Sequence, residues 1–407
     1  MKWVNFFHWY QPPQQRADIL STVATESYAP MIAFLLDHPA IHVTLNISGS
    51  LTQLLVTHGY TDIISGIRTL AEREQIELVN TACYHCILPL LPTEADRQIT
   101  LNTTVNQKAF GSIFAPAGFF PPEMAYSPEL DDLLIKKNIR WIILDEISET
   151  GRLGSLRTNI RYYTPRHLFV VYRDRAISNF LSFTAPLDND EEAWQSLQQA
   201  TRSQTYCVTA MDGENLGHHR KGADRLWQAL IQRPEVETFT ISSYLNGLTT
   251  ERLTNPQASS WSTEEYDLEH ATPFGLWQSS ENMIHTEQWR LIHAVMRCVQ
   301  EAEKKKSPGS EEAHTRLDAA LASDQLWWAS AQPWWSVEMI IEGAQALRHV
   351  IEPLHFTGEG EREINDLADT IARYAQAWQN DGTADQRRKA FAARSHVKPF
   401  MGGREVI

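Results

Sequence analysis

The sequence predicts an α/β fold, an incomplete (β/α)7 barrel followed by a helical domain. Apolar, strand-like runs alternate with helical stretches about seven times before residue 245, and a polar loop follows each run. Such alternation is typical of a parallel sheet that is covered on both faces, and this many units favour a nearly closed barrel. Strand patterns stop near residue 270. We therefore expect a barrel over 1–270, a helical domain completing the cleft over 271–385, and a polar tail over 386–407.

The predicted elements follow from apolar runs and their stop signals. Proline pairs end the first and fourth runs, at Pro12-Pro13 and Pro121-Pro122, because proline cannot continue a strand ladder. No glycine-rich phosphate loop follows any strand, which argues against a nucleotide-binding fold. The predicted strands are 3–7, 41–47, 76–80, the run ending at 119–120, 141–146, 168–172 and 205–211. The predicted helices are 17–36, one or two over 50–73, 93–110, 284–303, 311–331, 335–352 and 360–380.

Composition excludes several classes of partner. The 407 residues carry 36 basic and 50 acidic side chains, a net charge of −14, which argues against nucleic acid and an anionic membrane surface. We expect no secretory signal, because the first residues lack an apolar h-region and a small-residue cleavage site, and we expect no membrane span, because no window approaches about 18 apolar residues. Cysteines are few, and only Cys83 and Cys86 are close together, so a zinc site is not predicted. We expect a soluble, cytoplasmic protein. The sequence makes no prediction about the oligomeric state.

Tryptophan is unusually frequent, with 13 copies. Indole rings serve as stacking platforms for ligands with flat apolar faces, such as sugars, and composition alone favours packing between helices equally. The candidates for a sugar platform are Trp261, Trp277, Trp327 and Trp328.

Polar residues cluster where predicted strands end. His8 with Gln11, His85, Glu123, and Asp212 with Glu214 all follow such runs. The carboxyl ends of parallel barrel strands share one face, so we expect these side chains to converge.

Two carboxylates, Glu123 and Asp212, are the candidate catalytic pair. Glycosidic bond cleavage needs one carboxyl group to attack or stabilise the anomeric carbon and another to protonate the leaving oxygen, with different pKa values. Taken singly, each residue also has a purely structural interpretation. Glu123 could cap a helix or form a salt bridge, and Asp212 could belong to a common Asp-Gly turn. Isolated histidines such as His8 and His85 are usually satisfied core residues, but both precede proline-rich loops here.

Five segments of the chain carry recognisable motifs: 5–13 (NFFHWYQPP), 84–90 (YHCILPL), 120–129 (FPPEMAYSPE), 212–219 (DGENLGHH) and the tryptophan-rich 326–335. In this order they resemble the motifs of glycoside hydrolase family 57, which contains α-glucan amylases, 4-α-glucanotransferases, branching enzymes and amylopullulanases. The Glu123 segment is similar to the motif that carries the nucleophile, and the Asp212 segment to the motif that carries the general acid.

The resemblance implies a retaining mechanism, no metal or other cofactor, and an α-linked oligosaccharide or polysaccharide as the partner. It assigns Glu123 as nucleophile and Asp212 as acid and base. His8, Gln11 and His85 would then contact sugar hydroxyls. We expect Arg173 or Glu214 to orient one of the two carboxylates, and which one Arg173 faces stays open. Hydrolysis and transfer to an acceptor sugar also stay open.

Two alternatives remain. A metal-dependent sugar deacetylase on a related barrel would use Asp and His ligands at strand ends, although the expected Asp-Asp and His-x-x-x-His pairs are missing. Its candidate ligands are His8, His85, Asp212, His218 and His219. A non-catalytic carbohydrate-binding relative would keep the barrel without turnover.

Overall fold

The computed structural model of the chain describes residues 1–202, 204–355 and 358–394. The chain divides into two compact units, Met1–Pro273 and Phe274–Ile407. Every strand of the described residues lies in the first unit. The strands are β1 (Lys2–Trp9), β2 (Val43–Ile47), β3 (Ile76–Val79), β4 (Gly118–Phe119), β5 (Trp141–Asp145), β6 (Arg161–Tyr163), β7 (Phe169–Arg173), β8 (Tyr206–Asp212), β9 (Glu237–Phe239) and β10 (Glu251–Leu253).

Helices cover the strands of the first unit and make up the second. In the first unit they are α1 (Ala17–Val23), α2 (Ala29–Asp37), α3 (Gly49–Thr57), α4 (Thr61–Glu72), α5 (Ala95–Phe110), α6 (Leu130–Lys136), α7 (Ile147–Thr150), α8 (Arg175–Asn179), α9 (Asp190–Ala200), α10 (Ala223–Ile231), α11 (Ile241–Asn246) and α12 (Glu265–Glu269). In the second they are α13 (Met283–Lys304), α14 (Ser310–Ala320), α15 (Asp324–Ala329), α16 (Val337–His349), α17 (Glu359–Asp381) and α18 (Thr383–Arg394).

Seven parallel strands form the barrel wall in the order β8-β1-β2-β3-β4-β5-β7. A single bridge between Asn80 and Phe119 joins β3 to β4. These seven are the predicted strands, so the incomplete (β/α)7 barrel is confirmed. Three short strands were not predicted: β9 pairs with the start of β1, while β6 and β10 extend the β7 edge.

The barrel is open between β7 and β8, which share no ladder within the described residues. One backbone bond spans the opening, from Asp174 N–H to the Val208 carbonyl at 2.8 Å. Side chains satisfy the backbone of Ala210, two residues further along β8: Ser178 Oγ accepts from Ala210 N–H at 3.1 Å, and Arg173 Nη1 donates to the Ala210 carbonyl at 2.8 Å. We call this opening, closed by Arg173 and Ser178, the β7–β8 seam. The backbone groups of Val208 and Ala210 named here therefore have partners, although β7 and β8 form no ladder in the described part of the chain.

One helical stretch, residues 17–37, is long and apolar enough to span a membrane by length and composition, with 21 residues and mean hydropathy 1.4. The sequence analysis predicted no stretch of this length and apolarity, and that prediction was wrong. Half of the stretch is buried, and Leu20, Tyr28, Ile32 and Leu35 belong to the core beneath the barrel strands. Its apolar face therefore packs on the sheet.

The second unit is helical, as predicted. Helices α13 and α17 pack against each other, as do α16 and α17. The stretch 311–331, predicted as one helix, forms two, α14 and α15, with a break at 321–323. In the predicted tail 386–407, residues up to 394 belong to α18, and 395–407 lie outside the described residues.

Candidate active site

The predicted polar residues gather at the carboxyl end of the barrel strands. His8 near the end of β1 pairs in register with Asp212, the last residue of β8. Glu123 follows β4 in the one-turn 3₁₀ helix Pro122–Met124. His85 follows β3 and reaches both neighbours, lying 3.0 Å from His8 and 4.0 Å from Glu123. The convergence expected from strand order is therefore present for these four residues.

Backbone strain marks two of these residues. Glu123 has φ 59° and ψ 18°, and His85 has φ 59°, both in the left-handed region that suits glycine. Such a conformation costs about 1–3 kcal/mol for a residue with a side chain, and it persists where a function or the surrounding structure requires it. In both residues the turn aims the side chain toward the other one.

The Glu123 carboxylate is held by a tryptophan. Trp261 Nε1 donates to Glu123 Oε2 at 2.6 Å, and the Trp261 backbone N–H donates to the Glu123 carbonyl at 3.0 Å. The other carboxylate oxygen, Oε1, is 4.0 Å from His85 Nδ1. The Glu123 side chain keeps 19% of its surface exposed, so a ligand can reach it.

A chain of hydrogen bonds determines the histidine tautomers. Asn46 donates its amide to the Val79 carbonyl at 3.1 Å, which turns its oxygen toward His8 Nδ1 at 2.7 Å. His8 therefore carries its proton on Nδ1, and its Nε2 accepts from His85 Nε2 at 3.0 Å. Burial lowers the pKa of His8 to about 4 and that of His85 well below its ordinary value, so both rings are neutral. His85 Nδ1 consequently faces Glu123 as an acceptor.

Asp212 sits in different surroundings. Its removal from water raises its pKa to about 6, while the charge of Arg173 opposes that rise. Gly213 follows it, and a Cβ there would lie 2.1 Å from the Trp9 indole nitrogen, so the Asp-Gly sequence is required by close packing as well as by the turn.

Glu214 is buried behind Asp212 in a polar network. It accepts hydrogen bonds from the Tyr28 hydroxyl, from the Tyr10 backbone N–H at 3.4 Å and from the Gln11 amide at 3.4 Å. Burial, and next the charge of Asp212, raise the pKa of Glu214 to about 8, although the Tyr28 bond opposes the rise. The Gln11 amide also donates to Tyr28 at 3.2 Å. Within this structure Gln11 and Glu214 therefore bind each other.

Arg173 faces a carboxylate that the sequence interpretation did not consider. Its Nε donates to Asp145 Oδ2 at 2.8 Å, and its Nη2 donates to the Trp261 carbonyl at 3.4 Å. The guanidinium also lies 5.2 Å from the centre of the Trp261 ring. Arg173 thus acts on Asp212 through its charge, and it also contacts Trp261, the hydrogen-bond donor to Glu123.

Comparison with known proteins decides the family. The model of glycosyl hydrolase family 57 matches residues 2–257. The chain belongs to glycosyl hydrolase family 57.

Relatives and solved structures agree with this assignment. The α-amylase of Pyrococcus horikoshii is 29% identical over 53% of this chain and 34% of its own length. The 4-alpha-glucanotransferase of Thermococcus litoralis is 23% identical over 66% of this chain and 42% of its own length. The family 57-type branching enzyme of Pyrococcus horikoshii has the same fold, with a TM-score of 0.69 over 91% of this chain and 94% of that one at 16% identity. The chain spans less than half the length of the curated relatives it matches.

The four predicted platform tryptophans of this family 57 chain are in different environments. Trp261 is partly exposed beside Glu123, as described above. Trp277 is fully buried, so neither face of its ring is open to a sugar. Trp327 and Trp328 are half-buried and lie 5.1 Å apart in an edge-to-face pair, with Trp334 5.9 Å from Trp327.

Other residues of this family 57 site were missed by sequence reasoning. Asp145 was visible as a strand-end carboxylate, and Arg175 lies two residues beyond Arg173, so both carried a signal. Tyr28 and Asn46 carried none, because one lies within a helical stretch and the other within an apolar strand.

The ligand set of a metal-dependent alternative does not assemble in this family 57 chain. His8 and His85 bind each other, and His218 Nδ1 pairs with Glu26 at 2.7 Å. Among the described residues, no three of His8, His85, Asp212, His218 and His219 bring their ligand atoms within 4.8 Å of one another.

Proposed function

We propose that this chain is a retaining glycoside hydrolase or transglycosidase acting on α-linked glucan oligosaccharides, with Glu123 as nucleophile and Asp212 as acid and base. The observation that carries the proposal is the unlike setting of two carboxylates at one end of the barrel. Glu123 accepts a hydrogen bond from an indole N–H, whereas burial raises the pKa of Asp212 to about 6. A nucleophile must be ionised, and an acid must hold its proton near the working pH.

The reaction proceeds by double displacement. Glu123 attacks the anomeric carbon while Asp212 gives its proton to the departing sugar oxygen, and a covalent glycosyl-enzyme forms. Asp212 then takes a proton from water or from an acceptor hydroxyl, which attacks the same carbon and restores Glu123. The net configuration is retained because each displacement inverts it.

His85 is proposed to bind a sugar hydroxyl beside the nucleophile. The tautomer fixed by His8 and Asn46 presents the Nδ1 lone pair of His85 toward the Glu123 carboxylate. A hydroxyl can donate to this nitrogen, and the neutral ring adds no charge next to the carboxylate. Glu214 and Gln11, buried together behind Asp212, are proposed to fix the turn that carries the acid.

The names of the relatives supply the α-glucan substrate, since they are α-amylases and 4-alpha-glucanotransferases. The net charge of −14 suits a neutral sugar better than nucleic acid. All four cysteines are free thiols, which suits a reducing compartment, so we propose the cytoplasm.

Product analysis tests the proposal. The protein is incubated with maltoheptaose and with amylose, and the products are separated by chromatography. Shorter sugars alone indicate hydrolysis, and a ladder that includes longer sugars indicates transfer. Proton NMR during the first turnovers should show the α anomer.

Glu123→Gln should abolish product formation with an unchanged circular dichroism spectrum. Glu129→Gln is the matched control, because this exposed glutamate lies six residues later in the same segment. A wild type that releases nothing from either glucan, or a Glu123→Gln variant that works normally, overturns the proposal.

A further inference from the structure

One irregular segment, residues 257–263, is tied to the barrel although it contains no helix or strand. Gln257 N–H donates to the Ser148 carbonyl at 2.7 Å. Ser259 and Tyr126 exchange two backbone hydrogen bonds, of 2.9 and 3.2 Å. The first half of the segment is therefore fixed to the turns that follow β4 and β5.

Two buried arginines hold the second half. Arg173 Nη2 donates to the Trp261 carbonyl at 3.4 Å, and Arg175 Nη1 donates to the Thr263 carbonyl at 2.8 Å. Asp145 binds both guanidinium groups, at 2.8 Å from Arg173 and 2.7 Å from Arg175. The three charged side chains are each no more than 6% exposed, so this cluster is part of the protein interior. Charge-assisted bonds of this kind are short and directional, which suits a rigid support.

Trp261 connects the cluster to Glu123, the proposed nucleophile. The Trp261 ring lies 5.2 Å from the Arg173 guanidinium and meets Phe120 edge-on at 5.6 Å. Between these contacts its N–H reaches Glu123 Oε2 at 2.6 Å. Backbone and ring together determine where the indole proton points.

We propose that Trp261 is a positioning residue for Glu123, and that the Asp145–Arg173–Arg175 cluster sets its place. This deepens the proposed function and rests on it, since a nucleophile is what would be positioned. The indole N–H holds one carboxylate oxygen, which stabilises the ionised form and fixes the plane of the carboxylate for attack. The role differs from that of a sugar platform, which acts on substrate affinity.

The cluster is suited to this role because its anion, Asp145, binds both cations, and Glu264 lies 3.5 Å from Arg175. Burial pushes the pKa of Asp145 upward, but the charges of Arg175 and Arg173 outweigh it and keep that pKa below the usual range. The anion offsets repulsion between two adjacent cations. The two histidines on the Glu123 side, His85 and His8, are neutral and add no charge of their own. Asp212 interacts with the same cluster through Arg173.

Trp261→Phe is the first test, since it keeps a ring and removes the indole N–H. We expect kcat on maltoheptaose to fall about 10- to 100-fold, the value of one hydrogen bond to a charged group, with KM within about twofold of the wild type. The matched control is Trp141→Phe, which removes an indole bond of 3.1 Å to Ser242 Oγ at the opposite end of β5. A higher KM with unchanged kcat means a sugar platform and overturns the positioning role.

The second test needs no turnover. In protein labelled with ¹⁵N tryptophan, the indole resonance that disappears in Trp261→Phe is assigned to Trp261. Glu123→Gln should move this resonance and leave that of Trp141 in place. If it does not move, the indole is not bound to Glu123 and the inference fails.

The same resonance tests the cluster. Arg175→Lys keeps the positive charge but lacks the second arm that reaches Thr263, so it should move the Trp261 resonance and lower kcat. Asp145→Asn should act in the same direction, and Arg175→Lys carries the test where the asparagine variant does not fold. An unmoved resonance in Arg175→Lys separates the cluster from Trp261 and overturns that part. A wild type inactive on glucans refutes the proposed function instead, because the resonance shifts do not depend on activity.

Discussion

The surroundings of Glu123 and of Asp212 differ in almost every respect. Glu123 follows a two-residue strand, adopts a left-handed conformation and accepts a short hydrogen bond from Trp261. Asp212 ends a seven-residue strand, has ordinary extended angles of −65° and 131°, and accepts no side-chain hydrogen bond from the described residues. Donors stabilise a carboxylate anion and burial without donors destabilises it. The difference teaches that one barrel end can give two carboxyl groups different proton affinities, as the proposed nucleophile and acid require.

The largest expected effect separates the two roles directly. Glu123→Ala and Asp212→Ala should both lose turnover of maltoheptaose, the first by about 10⁴-fold or more. Added azide should react with the two variants from opposite faces of the sugar. NMR should find β-glycosyl azide with the Glu123 variant and α-glycosyl azide with the Asp212 variant. The same anomer from both would contradict the contrast.

The next effect depends on the leaving group. Asp212→Asn should lower turnover of maltoheptaose by about 10²- to 10⁴-fold, because the departing sugar needs a proton. With α-glucosyl fluoride, whose fluoride leaves without one, the first step should fall less than about tenfold. Stopped-flow release of fluoride measures this step, with the exposed Asp190→Asn as control. Equal losses on both substrates would remove Asp212 from the acid role.

The pH profile sharpens the contrast for the wild type. Since Asp212 must be protonated for the first step and its pKa is raised to about 6, kcat/KM should fall about tenfold per unit as the pH rises above 6. Initial rates on maltoheptaose between pH 4.5 and 8.5 measure this fall of kcat/KM. A flat profile from pH 5 to 8 would show that the acid has some other pKa.

The smallest effect concerns stability. The pKa of Glu214 is raised to about 8 from its ordinary value of 4.5, so its contribution to stability is complete below pH 4.5 and is lost as the pH rises toward 8. Glu214→Gln does not titrate there, so the wild type should lose roughly 1 kcal/mol of unfolding free energy per pH unit relative to the variant. Guanidinium unfolding at pH 5 and 7 measures the difference, with the exposed Glu342→Gln as control. If the unfolding free energies of the wild type and Glu214→Gln differ by the same amount at pH 5 and pH 7, the raised pKa of Glu214 is contradicted.

Sequence patterns predicted the barrel well because its seven strands are buried on both faces. Runs such as Trp141–Asp145 are continuous apolar segments that few other structures explain. The short strands β6, β9 and β10 have three residues each, and only Tyr162 among these residues is buried, so they leave no such pattern. The strand-end position of Glu123 and Asp212 came from the same periodicity, since parallel strands finish on one face.

The partners of these carboxylates were beyond sequence reasoning. Arg173 was expected near a catalytic carboxylate, but its direct partner, Asp145, lies 28 positions away and is chosen by strand order across the sheet. Trp261 was expected as a platform, and its bond to Glu123 depends on how an irregular segment folds back over 138 residues. Trp277 shows the converse, because a tryptophan count gives no information on which indoles are buried.

The β7–β8 seam has a consequence for the pKa of Asp212, the proposed acid. In a fully closed barrel, the Ala210 carbonyl would accept a backbone N–H from the neighbouring strand. Here it accepts the Arg173 guanidinium, so a full positive charge replaces a neutral dipole two residues from Asp212. An eighth strand inserted at this place would displace that charge and let the pKa of Asp212 climb further. Under the proposed mechanism, the missing strand is an electrostatic adjustment of the acid, and the gap in the wall belongs to that chemistry as much as to the architecture.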